Sequence, residues 1–183
     1  MFHIFKSLSL FAFSAILVAS IGLPSQAADL VHEVKLGLLH HDTGGLWSGT
    51  NRESGVDLNL EAILEPSTAF LSGTVRPAVG ASLNSGGDTS KAYIAARWEK
   101  DLTDDVQFAL GVGGAVHNGN TKLTRNDRKA LGSEVLFYFP FELSYSYAQD
   151  KSVSLFYDHV SNAWLASPNE GMDTLGIRFG FSF

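Results

Sequence analysis

Apolar and polar residues alternate along most of the chain after residue 30, with the two-residue period of a β-strand. The longest alternating segment is 134–147, in which every odd position from Val135 to Tyr147 is apolar or aromatic. Most of its even positions are polar, Glu142 among them. A tilted strand needs ~9–11 residues to cross a bilayer, so this segment is long enough to span a membrane.

Seven further segments show the same alternation and are separated by polar turns; they are 34–38, 56–64, 75–83, 92–98, 106–116, 153–157 and 175–183. Eight such segments predict an all-β fold, an eight-stranded antiparallel transmembrane β-barrel of the outer-membrane type, with its apolar face toward lipid. A soluble sandwich or a lipocalin-like barrel has the same period with the apolar face inside. The polar faces hold mostly Gly, Ser, Asn and isolated charges, which favours the membrane barrel over a solvated surface.

The first residues have the pattern of a secretory signal peptide. Lys6 precedes an apolar run over 8–22, and small residues stand three and one before a cut after Ala27. We therefore expect a signal peptide over 1–27 and the barrel over 28–183. The alternative, an N-terminal membrane anchor, is disfavoured because the run is shorter than the ~20 residues of a spanning helix.

Composition narrows the possible partners. The formal net charge is −6, which disfavours nucleic acid because phosphate binding needs a basic surface. The chain has no cysteine, so no disulfide holds the fold. Some charged residues alternate with the predicted lipid-facing positions and are therefore expected to face the barrel interior. They are expected to pair with one another there, and they are Arg76, Arg97, Glu99, Glu142 and Arg178.

The lengths of the connections predict the orientation. The turns 101–105 and 148–151 are short and fall at one end of the predicted barrel. The connections 40–53, 117–130 and 162–171 are long and fall at the other end. Outer-membrane barrels have short periplasmic turns and long outer loops, so the long connections are predicted to face outward.

Three polar residues share the predicted lipid-facing parity near that outer end. His159 and Ser161 are two residues apart on one strand, and Asp173 is in phase with the apolar positions of the next. In a hairpin around 162–171, position 159 is expected to face position 173. A serine hydroxyl needs a base to become a nucleophile, histidine suits that role, and a carboxylate orients the imidazole. The alternative is that these residues mark only the polar end of a strand.

The motifs HVSNA at 159–163 and PNEGMD at 168–173 resemble the C-terminal signature of the lipid A 3-O-deacylase (PagL) family. The resemblance implies an eight-stranded outer-membrane enzyme that removes the ester-linked acyl chain at position 3 of lipid A. It implies Ser161 as nucleophile, His159 as general base and then acid, and Asp173 as the orienting carboxylate. It also implies that Asn162 helps to hold the oxyanion, and that no metal or other cofactor takes part.

This sequence departs from the family pattern at two positions. Asp173 stands where the family has glutamate, and Trp164 stands where glycine is common. A second possible site is His40-His41-Asp42 in the first outer loop, where a metal site is the alternative to a solvated loop. Adjacent strand-end residues point to opposite sides, which favours the solvated loop.

The sequence therefore predicts a carboxylic-ester hydrolase of the outer membrane that acts on lipid A of lipopolysaccharide, with its active site facing the outer leaflet. The rival hypothesis is a non-enzymatic barrel with a structural or ligand-binding role. That rival gives no reason for His159, Ser161 and Asp173 to share a lipid-facing parity. A homodimer is left open.

Overall fold

The computed structural model describes residues 30–183, and the regular elements in that range are all β-strands. In chain order they are β1 (Val31–His40), β2 (Val56–Leu64), β3 (Thr68–Phe70), β4 (Gly73–Asn84), β5 (Lys91–Asp101), β6 (Val106–His117), β7 (Val135–Ala148), β8 (Lys151–Ser161) and β9 (Met172–Ser182). The signal peptide expected over 1–27 lies outside the described residues. Within 30–183, no helix has the length and apolar character needed to cross a membrane.

Eight of the nine strands form a closed antiparallel barrel in the order β1, β2, β4, β5, β6, β7, β8, β9. The ring closes where β9 pairs with β1, which places Phe179 opposite Leu36. The remaining strand, β3, pairs with the first residues of β4 and extends that strand as a short hairpin. The alternation did not reveal β3 because three residues are too few to show a period. The predicted eight-stranded barrel is confirmed.

The two faces of the sheet are arranged as a membrane barrel requires. Outward-facing Leu58, Ile94 and Phe179 are 58%, 66% and 50% exposed. Residues of the opposite parity are buried even where they are charged, as at Glu61 and Arg97. A soluble barrel would have the reverse arrangement, because its apolar side chains would fill the interior. The outer surface of this barrel therefore suits hydrocarbon.

A charged network crosses the barrel interior, with Glu142 at its centre. The Glu142 carboxylate accepts from Arg178 Nη2 at 2.5 Å and lies 2.6 Å from Arg97 Nη2. Lys35 Nζ is 3.6 Å from the same carboxylate, and Arg178 Nη2 is also 3.1 Å from Glu61. Lys35 and Glu61 were not among the interior charges that parity singled out. Opposite charges offset the cost of burial here, since an isolated ion would be strongly disfavoured.

Substituting Glu142→Gln is expected to lower the barrel's free energy of unfolding by about 3–5 kcal/mol, the usual cost of removing one partner from a buried ion pair. The substitution leaves Arg97 and Arg178 facing one another without their shared carboxylate. Urea unfolding in lipid vesicles, followed by tryptophan fluorescence, measures the change. The control is Glu134→Gln, at an exposed position. Equal stability of the two variants would contradict the network's role.

Candidate active site

The hairpin of β8 and β9 brings the three predicted residues into one hydrogen-bonded chain. The register pairs His159 directly with Asp173, as parity predicted. His159 Nδ1 lies 2.6 Å from Asp173 Oδ1, and His159 Nε2 lies 2.9 Å from Ser161 Oγ. Although Asp173 has a shorter side chain than the glutamate of the family pattern, its carboxylate still reaches the imidazole.

The order of these contacts fixes the protonation of the ring. An ionised carboxylate only accepts hydrogen bonds, so Nδ1 of His159 carries the proton and donates to Asp173. Nε2 is then left with a lone pair that accepts from the Ser161 hydroxyl. This tautomer lets His159 take the serine proton, while Asp173 stabilises the positive imidazolium that results.

The site is buried although its residues lie on the outward face of the sheet. His159 is 4% exposed and Asp173 is fully covered, because the loop between β1 and β2 (residues 41–55, hereafter L1) folds over them. The backbone N–H groups of Trp47 and Ser48 donate to Asp173 Oδ2 at 2.7 and 2.8 Å. The Trp47 indole stacks on the His159 ring, with centroids 4.4 Å apart and planes inclined by 14°. Sequence reasoning missed these contacts, because no local pattern relates position 47 to position 173.

The loop between β8 and β9 (residues 162–171, hereafter L4) begins directly after Ser161. The side-chain amide of Asn162 donates to the carbonyls of Leu131 and Pro168, each at 2.9 Å. Both of its N–H groups are therefore engaged, and neither is free to hold an oxyanion as the resemblance implied. In this arrangement Asn162 fixes L4 against the loop between β6 and β7 (residues 118–134, hereafter L3).

The backbone of L4 is left-handed at two residues after Asn162. Ala163 and Trp164 have φ values of 51° and 63°, a conformation that favours glycine. Trp164 thus keeps the backbone conformation that the family's usual glycine adopts easily. Gly171, with φ of 60°, ends the loop beside the imidazole, where an added Cβ would lie 3.0 Å from His159 Cε1.

An apolar groove runs beside the serine on the outer surface of the barrel. Its volume is about 330 Å³, and its walls include Val135 and Phe137 of β7 and Leu165 of L4. Phe137 is the register partner of Ser161 across β7 and β8, so the groove begins next to the serine. Its size and apolar lining suit a hydrocarbon chain.

A buried histidine in L1 lies between two carboxylates, one in L1 itself and one in β2. His41 Nδ1 lies 3.0 Å from Asp57 Oδ2, and His41 Nε2 lies 3.0 Å from Glu53 Oε2. The expectation of a solvated loop at 40–42 is wrong for His41 and Asp42, both of which are fully buried. No group of three or more His, Cys, Asp or Glu suited to a metal ion occurs within residues 30–183.

The surroundings of His41 set its charge. Burial alone would lower the pKa of His41, but hydrogen bonds and charge interactions with Asp57 and Glu53 outweigh it and raise the pKa to about 9. Burial would raise the pKa of Glu53, but hydrogen bonds from His41, Lys129 and Thr89 lower it to about 2. L1 is therefore held by a positive imidazolium between carboxylates at neutral pH.

The pKa of His41 is higher in the folded protein than in the unfolded chain. His41 therefore contributes its whole stabilising effect on L1 below about pH 6.5, and this contribution is lost as the pH rises through about 9. We expect trypsin to cleave after Arg52 in L1 much faster at pH 10 than at pH 7.5, once each rate is corrected for trypsin's own pH dependence. In His41→Gln, which does not titrate, the corrected rate should be similar at both pH values. A wild-type rate independent of pH would contradict the account.

Comparison with known proteins places this chain in a family of outer-membrane barrel enzymes. Residues 31–182 match the family described as lipid A 3-O-deacylase (PagL). Removal of an acyl group from an oxygen is hydrolysis of an ester, so the match defines an ester hydrolase built on an outer-membrane barrel. The chain belongs to the lipid A 3-O-deacylase family. The family resemblance and the enzyme class predicted from the sequence are confirmed.

Solved structures agree on the fold. The chain is similar to the outer membrane enzyme PagL, with a TM-score of 0.61 and 19% identity over 82% of this chain and 99% of that one. It is also similar to Neisserial surface protein A, with a TM-score of 0.52 and 12% identity over 82% of this chain and 96% of that one. A search of curated proteins by sequence finds no match.

Proposed function

We propose that the protein is a serine esterase that removes the acyl chain esterified at position 3 of lipid A, with Ser161, His159 and Asp173 as its catalytic residues. The observation that carries the proposal is the unbroken hydrogen-bonded chain from Asp173 through His159 to Ser161, beside an apolar groove on the barrel's outer surface. A purely structural barrel has no use for that chain on its lipid-facing side.

The reaction follows from the order of the contacts. Ser161 Oγ attacks the ester carbonyl as His159 Nε2 takes the hydroxyl proton, and Asp173 stabilises the imidazolium. The tetrahedral intermediate collapses when His159 gives that proton to the departing 3-oxygen of the sugar, which leaves an acyl group on Ser161. Water, activated by His159, then attacks the acyl-serine and releases the fatty acid. The cycle consumes one water and needs no redox or metal step.

The apolar groove is suited to hold the acyl chain that is removed. Val135, Phe137 and Leu165 line this groove, and Phe137 pairs with Ser161 across the two strands, so a chain lying in the groove would bring its ester carbonyl close to the serine. Phe137 is 40% exposed and Leu165 is 79% exposed, so the chain would replace membrane lipid at those side chains. Such positioning contributes strongly to the rate, because it makes the attack effectively intramolecular.

The developing oxyanion needs donors other than the Asn162 amide. The left-handed turn at Ala163 and Trp164 begins two residues beyond Ser161, and its backbone N–H groups are the proposed donors. Asn162 supports that turn by fixing L4 to the carbonyls of Leu131 and Pro168. This assignment gives Asn162 a supporting role in place of direct contact with substrate.

The site faces the outer leaflet in this proposal. Ser161 and Asp173 lie at the barrel end that carries L1 and L4, while the opposite end carries the short turns between β5 and β6 and between β7 and β8. Short turns are periplasmic in barrels of this type. Lipid A in the outer leaflet would therefore present its ester at the level of Ser161.

The direct test is purified protein in detergent micelles with lipid A as substrate. We expect release of one 3-hydroxy fatty acid per lipid A, with the amide-linked chains intact, and the same rate after treatment with a metal chelator. His159→Ala at equal concentration is the matched control and should release none. Absence of release by a correctly folded wild-type barrel would favour the non-enzymatic alternative.

A further inference from the structure

Two of the proposed catalytic residues are held by a loop that lies far from them in sequence. The backbone N–H groups of Trp47 and Ser48 both bond Asp173 Oδ2, which leaves Oδ1 for His159 at 2.6 Å. Thr43 N also donates to the Asp173 carbonyl at 2.8 Å. L1 therefore fixes both the carboxylate and the backbone of Asp173.

The same loop places an aromatic face on the imidazole. The Trp47 ring lies 4.4 Å from that of His159, nearly parallel to it, and packs 5.5 Å from Phe139. Trp47 remains 56% exposed, so burial of its own surface does not account for its position. The indole covers the imidazole face that would otherwise meet lipid or water.

L1 has the rigidity that such a role requires. His41 bonds both Asp57 and Glu53, and the Asp42 carboxylate accepts from the backbone N–H groups of Arg52 and Glu53 at 2.7 and 3.0 Å. Lys129 of L3 lies 3.1 Å from Asp42. These contacts tie both ends of L1 to the barrel and to a neighbouring loop.

We infer that Trp47 is a positioning residue of the reaction. It holds the His159 ring nearly parallel to its own indole, and it stabilises the imidazolium that forms as Ser161 attacks. The inference rests on the proposed serine–histidine–aspartate mechanism. An aromatic face attracts a cation more strongly than the neutral ring. Its effect is therefore larger in the transition state than in the resting enzyme, so it acts on kcat and leaves KM unchanged.

The test measures two reactions on each variant. One is kcat and KM for lipid A in micelles, and the other is the rate at which a small fluorophosphonate labels Ser161, which needs an activated serine but no acyl groove. Trp47→Leu removes the aromatic face, Trp47→Phe retains it, and Leu46→Ala is the control at the neighbouring exposed position (Leu46 is 57% exposed). Heat-modified mobility on a gel checks that each barrel is folded.

Trp47→Leu is expected to lower both kcat and the labelling rate about tenfold, the effect of one partly desolvated cation–π contact. KM should change less than about twofold, while Trp47→Phe recovers most of the loss and Leu46→Ala matches wild type. The inference is overturned if Trp47→Leu leaves both rates unchanged, if Trp47→Phe is as slow as Trp47→Leu, or if only KM rises, which would make Trp47 a substrate contact. A folded wild-type barrel that neither labels nor deacylates would instead overturn the proposed function, and the inference with it.

Discussion

Ser161→Ala is expected to lower kcat for lipid A hydrolysis by about 10⁶-fold, the scale seen when a serine hydrolase loses its nucleophile. The change removes one oxygen atom whose only polar contact among the described residues is His159 Nε2. Alanine fits the space, so the barrel and its loops should fold as before. The variant should also fail to react with a fluorophosphonate. Release of fatty acid from lipid A in micelles measures the loss.

The matched control for that experiment is Ser167→Ala in L4. Ser167 is exposed and lies six residues beyond Ser161 in the chain, so it tests the removal of a hydroxyl from the same region. Its rate should stay within about twofold of wild type, as surface changes usually do. If Ser161→Ala retained a substantial part of the wild-type kcat, Ser161 could not be the nucleophile.

Asp173→Asn is expected to lower kcat by about 10⁴-fold, because it fixes the wrong tautomer of the histidine. The backbone N–H groups of Trp47 and Ser48 require an acceptor at the Oδ2 position. The asparagine must therefore place its oxygen there and turn its NH₂ group toward His159 Nδ1. Nδ1 then becomes an acceptor, Nε2 carries the proton, and the serine hydroxyl loses its base.

Because Asp173 is also a structural contact of L1, this variant needs a check on the loop. Asparagine keeps the acceptor for both backbone donors, so trypsin should cleave after Arg52 at the wild-type rate. Asp127→Asn, which removes a charge from an exposed position in L3, is the control and should retain full activity. An Asp173→Asn enzyme with near-normal kcat would show that the carboxylate does not set the tautomer.

The barrel was predictable because a membrane-spanning strand must satisfy two environments at once. Each strand has lipid on one side and a narrow polar interior on the other, so the period of two extends over its whole length, as in 134–147. The same rule predicted that His159 would face Asp173 across the hairpin, because parity and one turn length fix that register. These features depend on neighbours in sequence or in the adjacent strand.

The missed features depend on contacts between distant loops. Trp47 meets Asp173 across 126 residues of sequence, and Glu53 accepts from Lys129 N in another loop. His41 resembled a solvated loop residue because the two carboxylates that bury it are 12 and 16 positions away. Irregular segments have no period from which a partner could be inferred. The side-chain bonds of Asn162 were equally hidden, since both acceptors are backbone carbonyls.

The most direct test of the central claim is mass spectrometry of lipid A from cells expressing the wild-type chain beside cells expressing Ser161→Ala at the same barrel level. The account predicts that wild-type cells alone contain lipid A lighter by one 3-hydroxyacyl chain, with the loss mapped to position 3. Identical lipid A in both cell lines, with both barrels folded in the outer membrane, would contradict it.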